Sequence, residues 1–172
     1  MLRRPADQNP APADAVRGQR AAPADEPLFV YGTLRFPEVL RALLGRVPAR
    51  TPAAVAGWRA AALRGRVYPG LVPADGTVTG LLLEDLTPAE RHVLHTFEGD
   101  EYELRRLPLT DGRHCRAYVW SAGRVLPGDW NAEDFAECHL AAFAARCARL
   151  ALGPAPEPVP VPEAPARPSA SR

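Results

Sequence analysis

Cysteine is scarce in this chain: Cys115, Cys138 and Cys147 are the only three in 172 residues. An odd number without framework spacing argues against a disulfide-stapled secreted scaffold and makes a reducing compartment the expected setting. Charge of one sign is also missing. The formal net charge is +1, and the five Phe, four Tyr and three Trp are scattered without interleaved basic residues. The electrostatic footprint of a nucleic-acid binder is therefore absent. No apolar run approaches the roughly 20 residues that a membrane helix needs. The N-terminus has no compact apolar core of a secretory signal. It is rich in Ala and Arg, as an organellar transit peptide would be, yet it carries Asp7, Asp14, Asp25 and Glu26 and no Ser. The expectation is a cytoplasmic protein without a nucleic-acid or membrane partner, with a transit peptide left open. There are no internal repeats.

What the chain does have is proline, unevenly placed. Residues 1–27 hold five and residues 153–172 hold seven, so 12 of the 20 lie in segments without apolar periodicity. Both segments are expected to be disordered or polyproline-like tails. The C-terminal run from Pro154 to Pro162 reads as a solvated tail or as a docking motif for a Pro-binding domain. Between the tails, residues 28–152 are expected to form one domain; the overall 47% hydrophobic and 24% charged composition is ordinary for a globular protein.

Leu28-Phe29-Val30-Tyr31 reads as a short buried strand ending at Gly32. Pro37 to Leu44 reads as a helix started by proline and stopped by Gly45. Strands follow from Ala53 to Leu86, with Pro73-Ala74-Asp75-Gly76 as a turn before Thr77 to Leu83. Thr87-Pro88-Ala89-Glu90 is a capping box, opening a helix to about Thr96 or Phe97, buried through Val93, Leu94 and Phe97 and ended by Gly99. Tyr102 to Leu109 and Cys115 to Trp120 read as strands around Thr110-Asp111-Gly112. A last helix is expected from Asn131 to Leu150, with Phe135, Cys138, Ala142, Phe143, Cys147 and Leu150 as its apolar stripe. The order gives an α+β fold: a small curved mixed sheet or β-barrel flanked by short helices and a C-terminal helix.

Two segments carry chemistry. In Phe29-Val30-Tyr31-Gly32-Thr33-Leu34-Arg35 a strand runs into glycine and then towards a helix start. Such a turn exposes consecutive N–H groups suited to a carboxylate or a developing oxyanion. From the local pattern alone, the plainer reading is a tight strand-to-helix turn that needs glycine for a positive φ. In Phe97-Glu98-Gly99-Asp100-Glu101-Tyr102, Glu98 closes a helix next to an apolar residue. The helix carbonyls and burial both disfavour its ionised form and push its pKa towards that of a general base. The plainer reading is a solvated helix-end acid, with Asp100 and Glu101 paired to Arg105 and Arg106.

Tyr31-Gly32-Thr33-Leu34, Tyr68-Pro69-Gly70, Gly80 and Leu94-His95-Thr96-Phe97-Glu98-Gly99-Asp100-Glu101-Tyr102, in that order, resemble the γ-glutamylcyclotransferase-like proteins. The type they resemble most is the plant avirulence-induced-protein (AIG2-like) type. Trp120, Trp130 and the helix from Asp134-Phe135 to Leu150 extend the resemblance over about residues 28–150. It implies that Glu98 is the catalytic acid/base and that Tyr31, Gly32, Thr33, Leu34, Arg35 and Phe36 bind the glutamyl group. It also implies an acyl-transfer reaction: the α-amine of an L-γ-glutamyl compound attacks its own γ-carbonyl, releasing an amine or amino acid and 5-oxoproline. The compound could be a γ-glutamyl amino acid, a γ-glutamylamine or glutathione. No cofactor is called for. Tyr102 is a further pocket candidate, able to hydrogen-bond Glu98 or substrate, or else an ordinary strand aromatic. His95-Thr96 and Arg35-Phe36 depart from relatives and bear on substrate choice.

Other polar groups point elsewhere or nowhere. His92 and His95 have helical spacing for a metal but no further ligand nearby, so no metal site is expected. The cysteines read as small buried apolar groups. Arg64-Gly65-Arg66 reads as a pocket rim or solvated strand edge, where an arginine could meet a substrate carboxylate. The competing class is a non-catalytic module that holds a small ligand in the same pocket, with the Pro-rich tails recruiting a partner.

Overall fold

The computed structural model describes residues 26–153. In chain order they form β1 (Leu28–Val30), a 3-10 turn (Thr33–Arg35), α1 (Pro37–Leu44), β2 (Arg50–Ala61) and β3 (Gly70–Leu83). Then come α2 (Pro88–Glu98), β4 (Tyr102–Pro108), β5 (His114–Trp120), α3 (Ala132–Cys138) and α4 (Leu140–Ala151). The tails expected at 1–27 and 153–172 lie outside the described residues, except for Glu26, Pro27 and Gly153.

The strands make one mixed sheet in the order β2-β3-β1-β5-β4. Short β1 is central, antiparallel to β3 and parallel to β5. Of the two forms expected, the open sheet is the one found. At one end its edges approach each other: Thr110 N, beyond β4, donates to Ala54 O of β2 at 3.0 Å. β1 is buried on both faces, which explains its unbroken apolar run. Leu28 and Val30 face the helices, in a core with Leu40, Leu94, Phe135 and Phe143. Phe29 and Tyr31 face the opposite core, with Val55, Leu82 and Val119.

The helix signals at α1 and α2 are realised. Gly45 ends α1 in the left-handed region, at φ 74°. Thr87 Oγ1 accepts from Glu90 N, and Glu90 returns a bond to Thr87 N. Glu90 also receives Arg46 at 2.5 and 2.8 Å, tying the end of α1 to the start of α2.

Three expectations are corrected. Pro73-Ala74-Asp75-Gly76 is not a chain-reversing turn but part of the 14-residue strand β3. Gly57 of β2, at φ 83°, lets the ladder step from Ala56↔Thr77 to Trp58↔Pro73 across a bulge and pair onward. The last helix is two, broken at His139 (φ −129°, ψ −25°). The break lets Phe135 and Phe143 meet edge to face at 5.4 Å, while Cys138 turns to solvent. Val93 is 36% exposed rather than buried, because it borders the cavity described next.

Candidate active site

The site begins where β1 ends. Gly32 has φ −113°, so positive φ is not why glycine stands there. Space is the reason: a Cβ would lie 2.7 Å from Pro69 Cγ and 2.9 Å from Pro69 Cδ. The facing Tyr68-Pro69-Gly70 segment is held just as closely, since a Cβ on Gly70 would lie 2.7 Å from Trp120 Cβ. Tyr102 donates its hydroxyl to Pro69 O at 2.7 Å. Tyr31 donates to Tyr118 O at 2.7 Å and accepts from Leu71 N at 3.1 Å, joining β1, β5 and β3. The turn and the Pro69 segment are therefore two rigid lips. Among the described residues, the N–H groups of Gly32, Thr33 and Leu34 have no protein acceptor.

Glu98 closes α2 opposite this turn. It is half-buried, and its carboxyl has no hydrogen-bond or ion-pair partner among the described residues. Burial pushes that carboxyl up to about 8. An ionised carboxylate there has lost part of its hydration and has no cation among the described residues to replace it. The hydroxyls of Tyr31, Tyr102 and Tyr118 are raised by burial and, in addition, by the Glu98 charge, so they remain protonated phenols. The proton of Tyr102 is given to Pro69 O, so its oxygen presents lone pairs rather than a donor, whereas Tyr31 Oη is engaged both as donor to Tyr118 O and as acceptor from Leu71 N.

These groups line one cavity of about 580 Å³. Of the residues expected at the site, Tyr31, Gly32, Thr33, Leu34, Glu98 and Tyr102 border it. Arg35 and Phe36 do not. Arg35 borders a separate cleft beside Trp58 and Arg59. Phe36 turns into the apolar core against Phe135, ring centroids 5.2 Å apart. Arg66 is not among the residues that line the cavity; it is bonded to Tyr68 Oη and Glu101, with its guanidinium 5.7 Å from the Trp120 ring centroid. His95 Nδ1 lies 3.4 Å from Tyr118 Oη, and no cluster of three potential metal ligands occurs among the described residues. Sequence reasoning missed Arg146, which lines the cavity mouth from α4 with its guanidinium 4.9 Å from the Phe143 centroid. The available signal was an arginine at i, i+3 from Phe143 and i, i+4 to Leu150, on the apolar stripe of the helix.

A carboxyl of raised pKa sharing one cavity with backbone donors that have no partner among the described residues defines a candidate acid–base site for a small molecule. The family model described as "Gamma-glutamyl cyclotransferase, AIG2-like" matches residues 28–132. AIG2-like protein D of Arabidopsis thaliana is 34% identical over 125 residues, covering 67% of this chain and 82% of that protein. AIG2-like protein C of the same plant is 39% identical over 117 residues, covering 63% and 67%. A solution structure of an Arabidopsis thaliana protein superposes with TM-score 0.54 at 30% identity, covering 70% of this chain and 87% of that one. A structure named gamma-glutamyl cyclotransferase superposes with TM-score 0.50 over 75% of this chain and 81% of its own; at 14% identity it speaks for the fold alone. The chain belongs to the AIG2-like gamma-glutamyl cyclotransferase family. No helix among the described residues is long and apolar enough to cross a membrane.

Proposed function

We propose that the protein is a γ-glutamyl cyclotransferase that converts an L-γ-glutamyl compound to 5-oxoproline and a free amine or amino acid, with Glu98 as acid/base. The observation that carries this reading is the Glu98 carboxyl sharing a cavity with the N–H groups of Gly32, Thr33 and Leu34, none of them with a partner among the described residues.

The substrate enters with its α-amine as an ammonium, which cannot attack. Glu98 as carboxylate takes one proton from it. The freed amine forms a bond to the γ-carbonyl carbon of the same molecule, and the resulting oxyanion is met by backbone N–H groups of the turn. The bond from that carbon to the departing nitrogen then breaks. Glu98 returns its proton to that nitrogen, then takes the second proton from the ring nitrogen and passes it to the released amine, which leaves as an ammonium, so the carboxylate ends as it began. Ring closure within one held molecule supplies much of the acceleration through orientation. The free lone pairs of Tyr102 suit the substrate ammonium, which has donors only.

The test incubates a panel of γ-glutamyl amino acids, γ-glutamylamines and glutathione with the wild-type protein and with Glu98→Gln, measuring 5-oxoproline. Release by wild type and its loss by roughly 10²-fold or more in Glu98→Gln, with the melting curve retained, is expected. Release from no compound would favour a binding module in place of an enzyme.

A further inference from the structure

A glutamyl group, with about nine non-hydrogen atoms, occupies at most roughly half of the 580 Å³ cavity even at the ~30 Å³ that one water takes up in the liquid. The rest of the space belongs to whatever is attached to the γ-carbonyl. Burial separates the two halves. Tyr31, Thr33 and Tyr102 are each 8% exposed or less, whereas Val93 and Leu150 at the mouth are 36% and 63% exposed. The wall between floor and mouth is aromatic. Phe143 receives Tyr68 and Phe97 edge-on, at 6.5 and 6.2 Å between centroids. Over the Phe143 ring lies Arg146, which has no carboxylate within 4.0 Å among the described residues. Phe143 and Arg146 stand on α4, beyond residue 132, where the family match ends.

Resting on the reaction proposed above, we infer that the substrates are γ-glutamyl amino acids whose departing residue has a large apolar or aromatic side chain and a free α-carboxylate. The side chain packs against Phe143, and the carboxylate meets the Arg146 guanidinium. A γ-glutamylamine without that carboxylate leaves Arg146 unpaired, and a small departing residue leaves the aromatic wall wet.

The experiment uses the Glu98→Gln protein, which holds substrate without converting it. Calorimetric titration compares γ-glutamylphenylalanine with γ-glutamylphenethylamine, which lacks the carboxylate, and with γ-glutamylalanine, which lacks the ring. The phenylalanine compound is expected to bind about tenfold or more tightly than either. Adding Arg146→Gln is expected to shrink its advantage over the phenethylamine compound by about tenfold. Equal binding of the three, no binding of any, or an advantage untouched by Arg146→Gln overturns the inference. Wild-type 5-oxoproline release from the same compounds keeps the two proposals apart. The binding order without release sinks the reaction and leaves this ligand class standing; release without the order does the reverse.

Discussion

Replacing Gly32 with alanine isolates the turn from everything else in the cavity. The added Cβ would lie 2.7 and 2.9 Å from the Pro69 ring carbons, whereas carbon atoms rest about 3.5–4.0 Å apart. Relief needs a shift of roughly 0.8 Å. Pro69 has little room to give, because its carbonyl is held by Tyr102 and Gly70 is pressed against Trp120. The displacement therefore falls on the turn and its N–H groups. Overpacking of this kind costs about 1–3 kcal/mol, and misplacing catalytic groups by about 1 Å costs on the order of 10² in rate. Thermal melting and kcat/KM for 5-oxoproline release measure the two effects. Gly112→Ala is the control: at φ 87°, with nothing within 4 Å of its Cβ, it carries backbone strain without touching the cavity. It should lower Tm while leaving kcat/KM within about twofold. The reasoning fails if Gly32→Ala melts and turns over as wild type, or if both variants lose activity equally.

Tyr31→Phe strands Tyr118 O and Leu71 N without their shared hydroxyl; urea unfolding should show a loss of about 1–3 kcal/mol, and a change near zero would remove Tyr31 as a strut. Acid stability should depend on Glu90, which Arg46 holds down to about 2. Its folded pKa lies below the unfolded value near 4.5, so its stabilisation is complete above that value and fades as pH falls towards 2. In Arg46→Gln the drop in Tm between those pH values should become shallower, and an unchanged slope would contradict the assignment. Alkylation should distinguish the thiols: exposed Cys138 reacts readily, while Cys115, buried and pushed up to about 11, stays unmodified in the folded protein. Mass mapping showing early Cys115 modification would contradict its burial.

Features set by short-range chemistry could be read before folding was considered. The capping box at Thr87, the stop at Gly99 and the pair of strands around Asp111-Gly112 each depend on a few neighbouring residues, and each is found. The features that escaped depend on what comes from elsewhere in the chain. Gly32 was legible as a required glycine, but its reason is Pro69, 37 positions on in the sequence. Pro73 to Gly76 has turn composition, yet β2 supplies a matching bulge at Gly57 and keeps it in the ladder. The break at His139 has no glycine or proline to announce it. At the site, Tyr31 to Leu34 and Glu98 share a cavity, while Arg35 and Phe36 follow the start of α1 away from it. Arg146 was hidden because an arginine on an apolar stripe matters only once the cavity above that stripe is known.

The pH dependence of kcat/KM most directly tests whether Glu98 moves the proton. The productive encounter pairs a Glu98 carboxylate with a substrate ammonium, so the rate should rise tenfold per pH unit until Glu98 ionises, bending near pH 8, where burial places this carboxyl. A profile already flat from pH 5 upward, or one bending near the ordinary carboxylate value of about 4.3, would contradict a buried Glu98 of raised pKa as the group that takes the proton.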